Sequence, residues 1–169
     1  MKIRHARAAL LAFLGIGAIL LTTTPAYAVQ ADAFYITAAS GGTRYFLIDH
    51  ATLHVQTAMI PTIWTNIHGE MWGNRPVYEW AIDGSNTCWA WSASSEMVFP
   101  QVCDPGNKTQ LWWQNNGHFI NWQATLDANG SSQCMNAEHL QEGSLIDTMG
   151  CKNTSQPGWW DQLWYSVSS

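Results

Sequence analysis

The amino-acid sequence predicts an all-β domain assembled from three copies of one small unit. Three observations carry this expectation. The phrase Gln110-Leu111-Trp112 recurs as Gln162-Leu163-Trp164, each copy behind a pair of cysteines. The two tryptophans lie 52 positions apart, within the period range of repeated supersecondary units. Short runs of β-formers alternate with Gly, Asn, Ser and Thr clusters, as in a sandwich or barrel.

The chain opens with Lys2, Arg4 and Arg7, an apolar run from Ala8 to Leu21, and Ala26-Tyr27-Ala28. A basic start, an apolar centre and small residues at the cut form the pattern of a secretory signal peptide, here residues 1–28, of bacterial appearance. The apolar run spans about 14 residues, short of the roughly 20 that cross a bilayer. The rest, residues 29–169, is 169 less 28, or 141 residues, the size of a single domain. It is expected to be secreted and extracellular. It carries all 12 acidic residues but only Arg44, Arg75, Lys108 and Lys152 of the basic ones, a charge of about −8. That balance repels a phosphate backbone, so no nucleic acid is expected, and it argues against anionic membrane surfaces; no other segment could span a bilayer, so no membrane insertion is expected.

The first copy spans about 29–72. Phe34-Tyr35-Ile36-Thr37 and Tyr45-Phe46-Leu47-Ile48 read as strands, and Thr62-Ile63-Trp64 stands for Gln-Leu-Trp, ahead of the competing Glu70-Met71-Trp72. Leu47-Ile48-Asp49 replaces the strand that opens with Cys in the other copies. The second copy, about 73–121, holds the strand Val77–Ile82, the polar turn Asp83–Thr87 leading into Cys88, and Asp104-Pro105-Gly106-Asn107 after Cys103. In that last turn Pro fixes φ and Gly permits φ > 0. The third copy, about 122–169, repeats the order with Asn129–Gln133 before Cys134 and Asn153–Gly158 after Cys151. Leu111–Trp113, His118–Trp122 and Leu163–Tyr165 complete the strands, and helical signals are weak after the leader. Eleven tryptophans in so few residues point to an aromatic core.

Export makes disulfides feasible, and four cysteines allow three pairings. Cys88–Cys103 with Cys134–Cys151 is favoured because each pair then occupies the same place in its copy. Structural zinc is disfavoured, since close C-x-x-C spacing is lacking. His50 and His54 flank a β-like run and do not suggest a metal either, so no metal or cofactor is expected. No nucleophile elbow, P-loop or dinucleotide fingerprint is present, and no enzyme activity is expected.

Three units closing with Gln-x-Trp, two of them with an internal Cys pair, resemble the ricin-type β-trefoil lectins and carbohydrate-binding modules. The resemblance covers nearly all of residues 29–169 and is best in the second and third copies. It implies a pseudo-threefold β-trefoil with Trp112 and Trp164 in its core and Gln110 and Gln162 tying down neighbouring loops. It also implies a sugar site in each copy: an acid two positions after the first Cys, an aromatic near the second, and a polar residue near Gln-x-Trp. The sequence departs from this in every copy. Ala90 takes the acidic place in the second, with Asn107, Thr109 and Gln110 at its closing end and Trp89, Trp91 and Phe99 nearby. Asn136 takes it in the third, with Trp159, Asp161 and Gln162. Asp49 takes it in the first if Leu47 replaces Cys. The third copy is the expected working site. Carbohydrate is the expected partner, and a protein-binding inhibitor with vestigial sugar sites is the alternative.

Overall fold

The computed structural model describes residues 31–37, 42–49, 53–57, 61–137 and 140–168. Residues 1–28, read above as a signal peptide, and His50 lie outside the described residues. The described chain is all-β. Its strands are β1 (Ala31–Thr37), β2 (Arg44–Asp49), β3 (Leu53–Gln56), β4 (Trp64–Trp72), β5 (Arg75–Ile82) and β6 (Thr87–Trp91). They continue as β7 (Val98–Val102), β8 (Trp112–Asn115), β9 (His118–Asn121), β10 (Gln133–Ala137), β11 (Ile146–Gly150) and β12 (Tyr165–Ser168). Among the described residues no helix is long and apolar enough to cross a membrane.

All pairings are antiparallel, and the sheet runs β11-β10-β9-β8-β5-β4-β1-β2-β3. The last strand, β12, pairs with the first, Asp32 opposite Ser168 and Tyr35 opposite Tyr165. Three hairpins, β2–β3, β6–β7 and β10–β11, branch from the remaining six strands. The sheet is open between β9 and β12, where Trp164 N–H donates to Gly117 O at 2.8 Å. Gly117 has a turn-forming partner in Asn116, and both adopt positive φ (49° and 83°), the two-residue hairpin turn that Asn-Gly favours. A Cβ on Gly117 would stand 2.7 Å from Leu163 Cδ1 and 3.0 Å from Trp164 O, so this close approach of the two segments requires glycine.

The core is aromatic, as composition implies. Trp89 touches Phe34 (5.7 Å), Trp64 (5.1 Å), Trp80 (5.7 Å), Trp112 (6.2 Å) and Phe119 (5.1 Å) between ring centroids. Leu47, Val55, Met135 and Ile146 fill in around them. Disulfides join Cys88 to Cys103 and Cys134 to Cys151, in the expected pairing. Each closes the open end of one hairpin, since one cysteine lies early in β6 or β10 and the other just beyond β7 or β11. Two bonds fit a non-cytoplasmic compartment.

Thr62, Ile63, Leu111, Leu163 and Trp164, read as strand residues, lie outside the strands, and one run changes type. His118–Trp122 does not remain a strand, because Trp122 opens the helix α1 (Trp122–Asp127). Asn121 caps it, its Oδ1 accepting from Ala124 N–H at 2.9 Å while its Nδ2 donates to Thr109 O at 2.9 Å. A fully buried amide that satisfies both ends this way holds the helix against the loop before β8.

Candidate functional site

One bond recurs in the three copies. The indole N–H groups of Trp64, Trp112 and Trp164 donate to the carbonyls of Leu47 (3.5 Å), Trp89 (3.4 Å) and Met135 (3.2 Å). Trp89 and Met135 each follow the first cysteine, so Phe46, not Leu47, holds the cysteine's place in the first copy. The strand pairing agrees. Phe46, Cys88 and Cys134 face Gln56, Gln101 and Met149 at equivalent positions. The residues two beyond the first cysteine in this frame are therefore Ile48, Ala90 and Asn136. Asp49 moves out of that set and aligns with Trp91 and Ala137.

The two glutamines hold the backbone that flanks the second cysteine. Gln110 Oε1 accepts from Asp104 N–H at 2.7 Å and its Nε2 donates to Val102 O at 2.9 Å. Gln162 repeats this on Lys152 N–H (2.8 Å) and Gly150 O (3.2 Å). Both side chains are fully buried. Their amides are occupied by main chain, and their role is to fix the turn after each disulfide. Asn107 is likewise turned inward on its own loop, its Oδ1 accepting from Thr109 N–H (3.1 Å) and Oγ1 (2.8 Å).

The residues expected to form the third-copy site are less exposed than that reading requires. Asn136 is 1% exposed and donates across its hairpin to Asp147 Oδ1 at 2.8 Å, while its own Oδ1 has no partner. Trp159, Asp161 and Gln162 lie together on a 3₁₀ turn, Trp159–Gln162, that packs against β10. Trp159 and Trp160 are half-buried and meet edge to face at 6.2 Å. In the second copy, Trp89 is 0% and Trp91 7% exposed, so these rings belong to the interior.

A different set of residues forms an open cleft at the seam between β9 and β12. Its volume is about 440 Å³, and its wall includes Tyr35, Gln114, Asn116, Leu163, Tyr165 and Ser166. Tyr35 and Tyr165 stack at 5.4 Å with 24° between planes, and Arg44 lies 4.7 Å over the Tyr35 ring. Tyr165, with one face on Tyr35, is 41% exposed. Strand alternation explains the position, since Trp164 enters the core and its neighbour Tyr165 must turn outward. The Asn116-Gly117 turn and this alternation were the signals in the sequence. Gln114 and Asn116 add amides, which both donate and accept, and Ser166 adds a hydroxyl. Among the described residues no charged side chain lines the cleft.

A second surface group of rings is already occupied. Trp72 and Trp122 stack at 5.5 Å, Arg75 lies over Trp72 (5.2 Å) and Trp113 (4.5 Å), and Lys108 lies over Trp122 (5.1 Å). These cation–π layers tie the β4–β5 hairpin to α1.

Among the described residues no group of three or more His, Cys, Asp or Glu could hold a metal ion. Hydrogen bonds from Thr57 Oγ1 and N–H, at 2.7 and 3.0 Å, pull the Glu142 pKa down, and burial pulls His118 down. Glu79 is fully buried on β5, and burial raises its pKa above 4.5 despite a 2.6 Å hydrogen bond to His68 Nδ1. Glu79 Oε1 has no partner. Below pH 4.5 the folded and unfolded chains both hold this proton, and its burial carries no charge penalty. As pH rises, the unfolded chain releases the proton first, so stability falls until the folded carboxyl also ionises. Glu79→Gln stays neutral, and its melting temperature relative to wild type should rise from pH 4 to pH 8. A difference that is flat or negative across that range would refute the buried-charge account.

Comparison with known proteins finds no matching family, no similar curated protein and no similar solved structure.

Proposed function

We propose that the chain is a secreted, non-catalytic carbohydrate-binding module with the β-trefoil plan, and that it takes a neutral sugar in the Tyr35–Tyr165 cleft. The cleft carries this reading. Sugar recognition needs an aromatic face for the C–H patches of a pyranose and polar groups for its hydroxyls. Tyr165 supplies the first, and Gln114, Asn116 and Ser166 supply the second. The volume of about 440 Å³ falls in the ordinary range of ligand sites. Glycoside hydrolysis needs a pair of carboxylates, and among the described residues the cleft walls carry none.

The trefoil plan is supported by the pairing of the first strand with the last and by the indole bond made three times over. In it, β12-β1-β4-β5-β8-β9 form the barrel wall and the three hairpins its cap. A second reading, a protein-binding module with vestigial sugar sites, draws on the burial of Asn136.

A glycan array with the secreted protein separates the two. The expected result is binding to a neutral glycan that Tyr165→Ala or Gln114→Ala weakens at least tenfold, roughly 1.4 kcal/mol, with the fold intact by circular dichroism. Binding that survives both changes but is lost in Asn136→Ala would move the site to the third hairpin. Silence on glycans together with capture of a defined protein would favour the second reading.

A further inference from the structure

The layered rings beside α1 spend their faces on one another and on two cations, and their polar edges stay open. Arg75 Cζ lies 5.2 Å from the Trp72 ring centroid and 4.5 Å from that of Trp113, which restrains the guanidinium. Trp72 stacks on Trp122 at 5.5 Å with 16° between planes, and Lys108 Nζ ends the column 5.1 Å over Trp122. The tip of the β4–β5 hairpin, β8, α1 and the loop before β8 each bring one part.

These five side chains carry hydrogen-bond donors and no acceptor, since guanidinium, ammonium and indole N–H groups can only donate. Among the described residues neither cation has a carboxylate within 4.0 Å. Their donors, and the indole N–H groups of Trp72, Trp113 and Trp122, make no hydrogen bond to the protein. They also reach solvent, whereas the unpartnered Nε1 atoms of Trp80, Trp89 and Trp91 are closed off. Half of the four basic residues in 29–169 are gathered here, in a segment of charge about −8. A guanidinium held between indoles presents its planar fork ready for a carboxylate, so little freedom is lost on binding.

The donors decide among anions. A nucleic acid brings a charge at every phosphate and needs many cations to hold it against the surrounding negative field. An extended acidic peptide brings an N–H at every residue, and this patch offers those groups no acceptor. A uronic acid carries one carboxylate per ring, and its hydroxyls accept as readily as they donate.

We propose that this patch binds an oligosaccharide of uronic acids. Arg75 grips one carboxylate as a fork, Lys108 pairs with a second, and the indole N–H groups donate to hydroxyls between them. The patch shares no residue with the tyrosine cleft and stands whether or not the cleft binds sugar.

Calorimetric titration with trigalacturonic acid at pH 7 tests the proposal. Its methyl ester serves as the uncharged counterpart, and hexaglutamate and a single-stranded hexanucleotide as the rival anions. The acid should bind, and the ester should bind at least about tenfold more weakly. Arg75→Lys keeps the charge but removes the fork, and should weaken the acid about tenfold. Lys108→Gln should weaken it roughly threefold, the worth of one exposed ion pair. Lys108 is exposed, so this second variant keeps the fold, and melting curves check both. Added salt should weaken the acid and spare the ester. Tyr165→Ala should leave the titration unchanged. No binding of the acid, equal binding of acid and ester, tighter binding of either rival anion, or indifference to both variants would each overturn the proposal. Loss of acid binding in Tyr165→Ala would do so too, by moving the anion to the cleft.

Discussion

Trp89→Ala should lower the stability of the domain by about 3–5 kcal/mol, the cost of truncating a large aromatic in a close-packed core. Trp89 is fully buried, and five other rings meet it at centroid distances from 5.1 to 6.2 Å. Those rings come from β1, β4, β5, β8 and β9, so the indole is the point where five strands share one contact. Its loss leaves a cavity that no single neighbour can fill, because Phe34, Trp80 and Phe119 also brace one another at 4.8 to 5.5 Å. With total stabilities of about 5–15 kcal/mol for ordinary domains, the variant should be close to unfolding. Urea denaturation followed by tryptophan fluorescence measures the change. A loss below about 1 kcal/mol would mean that the cluster relaxes as a liquid would, against the packing just described.

How much of this was legible beforehand depended on the range of the interaction. The strands and the cysteine pairing were readable because turn residues and a repeated word are local in the chain. Helix α1 was not, since six residues give too little of a 3.6-residue period, and Asn121 reads as a strand residue until its amide is seen capping Ala124. The site suffered from a different fault. The count that placed Asp49 beside Asn136 was off by one position, because Phe46 rather than Leu47 is the counterpart of Cys88. In a strand a slip of one residue exchanges the two faces of the sheet. The indole bond from Trp64 to Leu47 O corrects that count, and only coordinates reveal it. Likewise the tyrosine cleft joins residues from both ends of the domain, Tyr35 and Tyr165, and no word in the sequence links them.

Breaking both disulfides should have the largest effect of all. The bonds close loops of 15 and 17 positions, and each should contribute about 3 kcal/mol by restricting the unfolded chain. Together that is about 6 kcal/mol, a large share of the whole. The folded state supplies an independent reason to place the effect in the unfolded chain. Gln110 and Gln162 already grip the peptides on either side of Cys103 and Cys151, so the hairpin ends are held without the sulfur bridge. Cys88→Ala/Cys103→Ala and Cys134→Ala/Cys151→Ala should therefore keep native near-ultraviolet dichroism in buffer. Each should unfold at lower urea with a steeper slope, because the released chain exposes more surface. The two losses should add, as the bridges lie in different hairpins and share no partner. Gln110→Ala should be more damaging in the absence of the first bridge than in its presence, since one of two restraints on the same turn is then already gone. Equal cost in both backgrounds would show that clamp and disulfide act on separate parts of the loop.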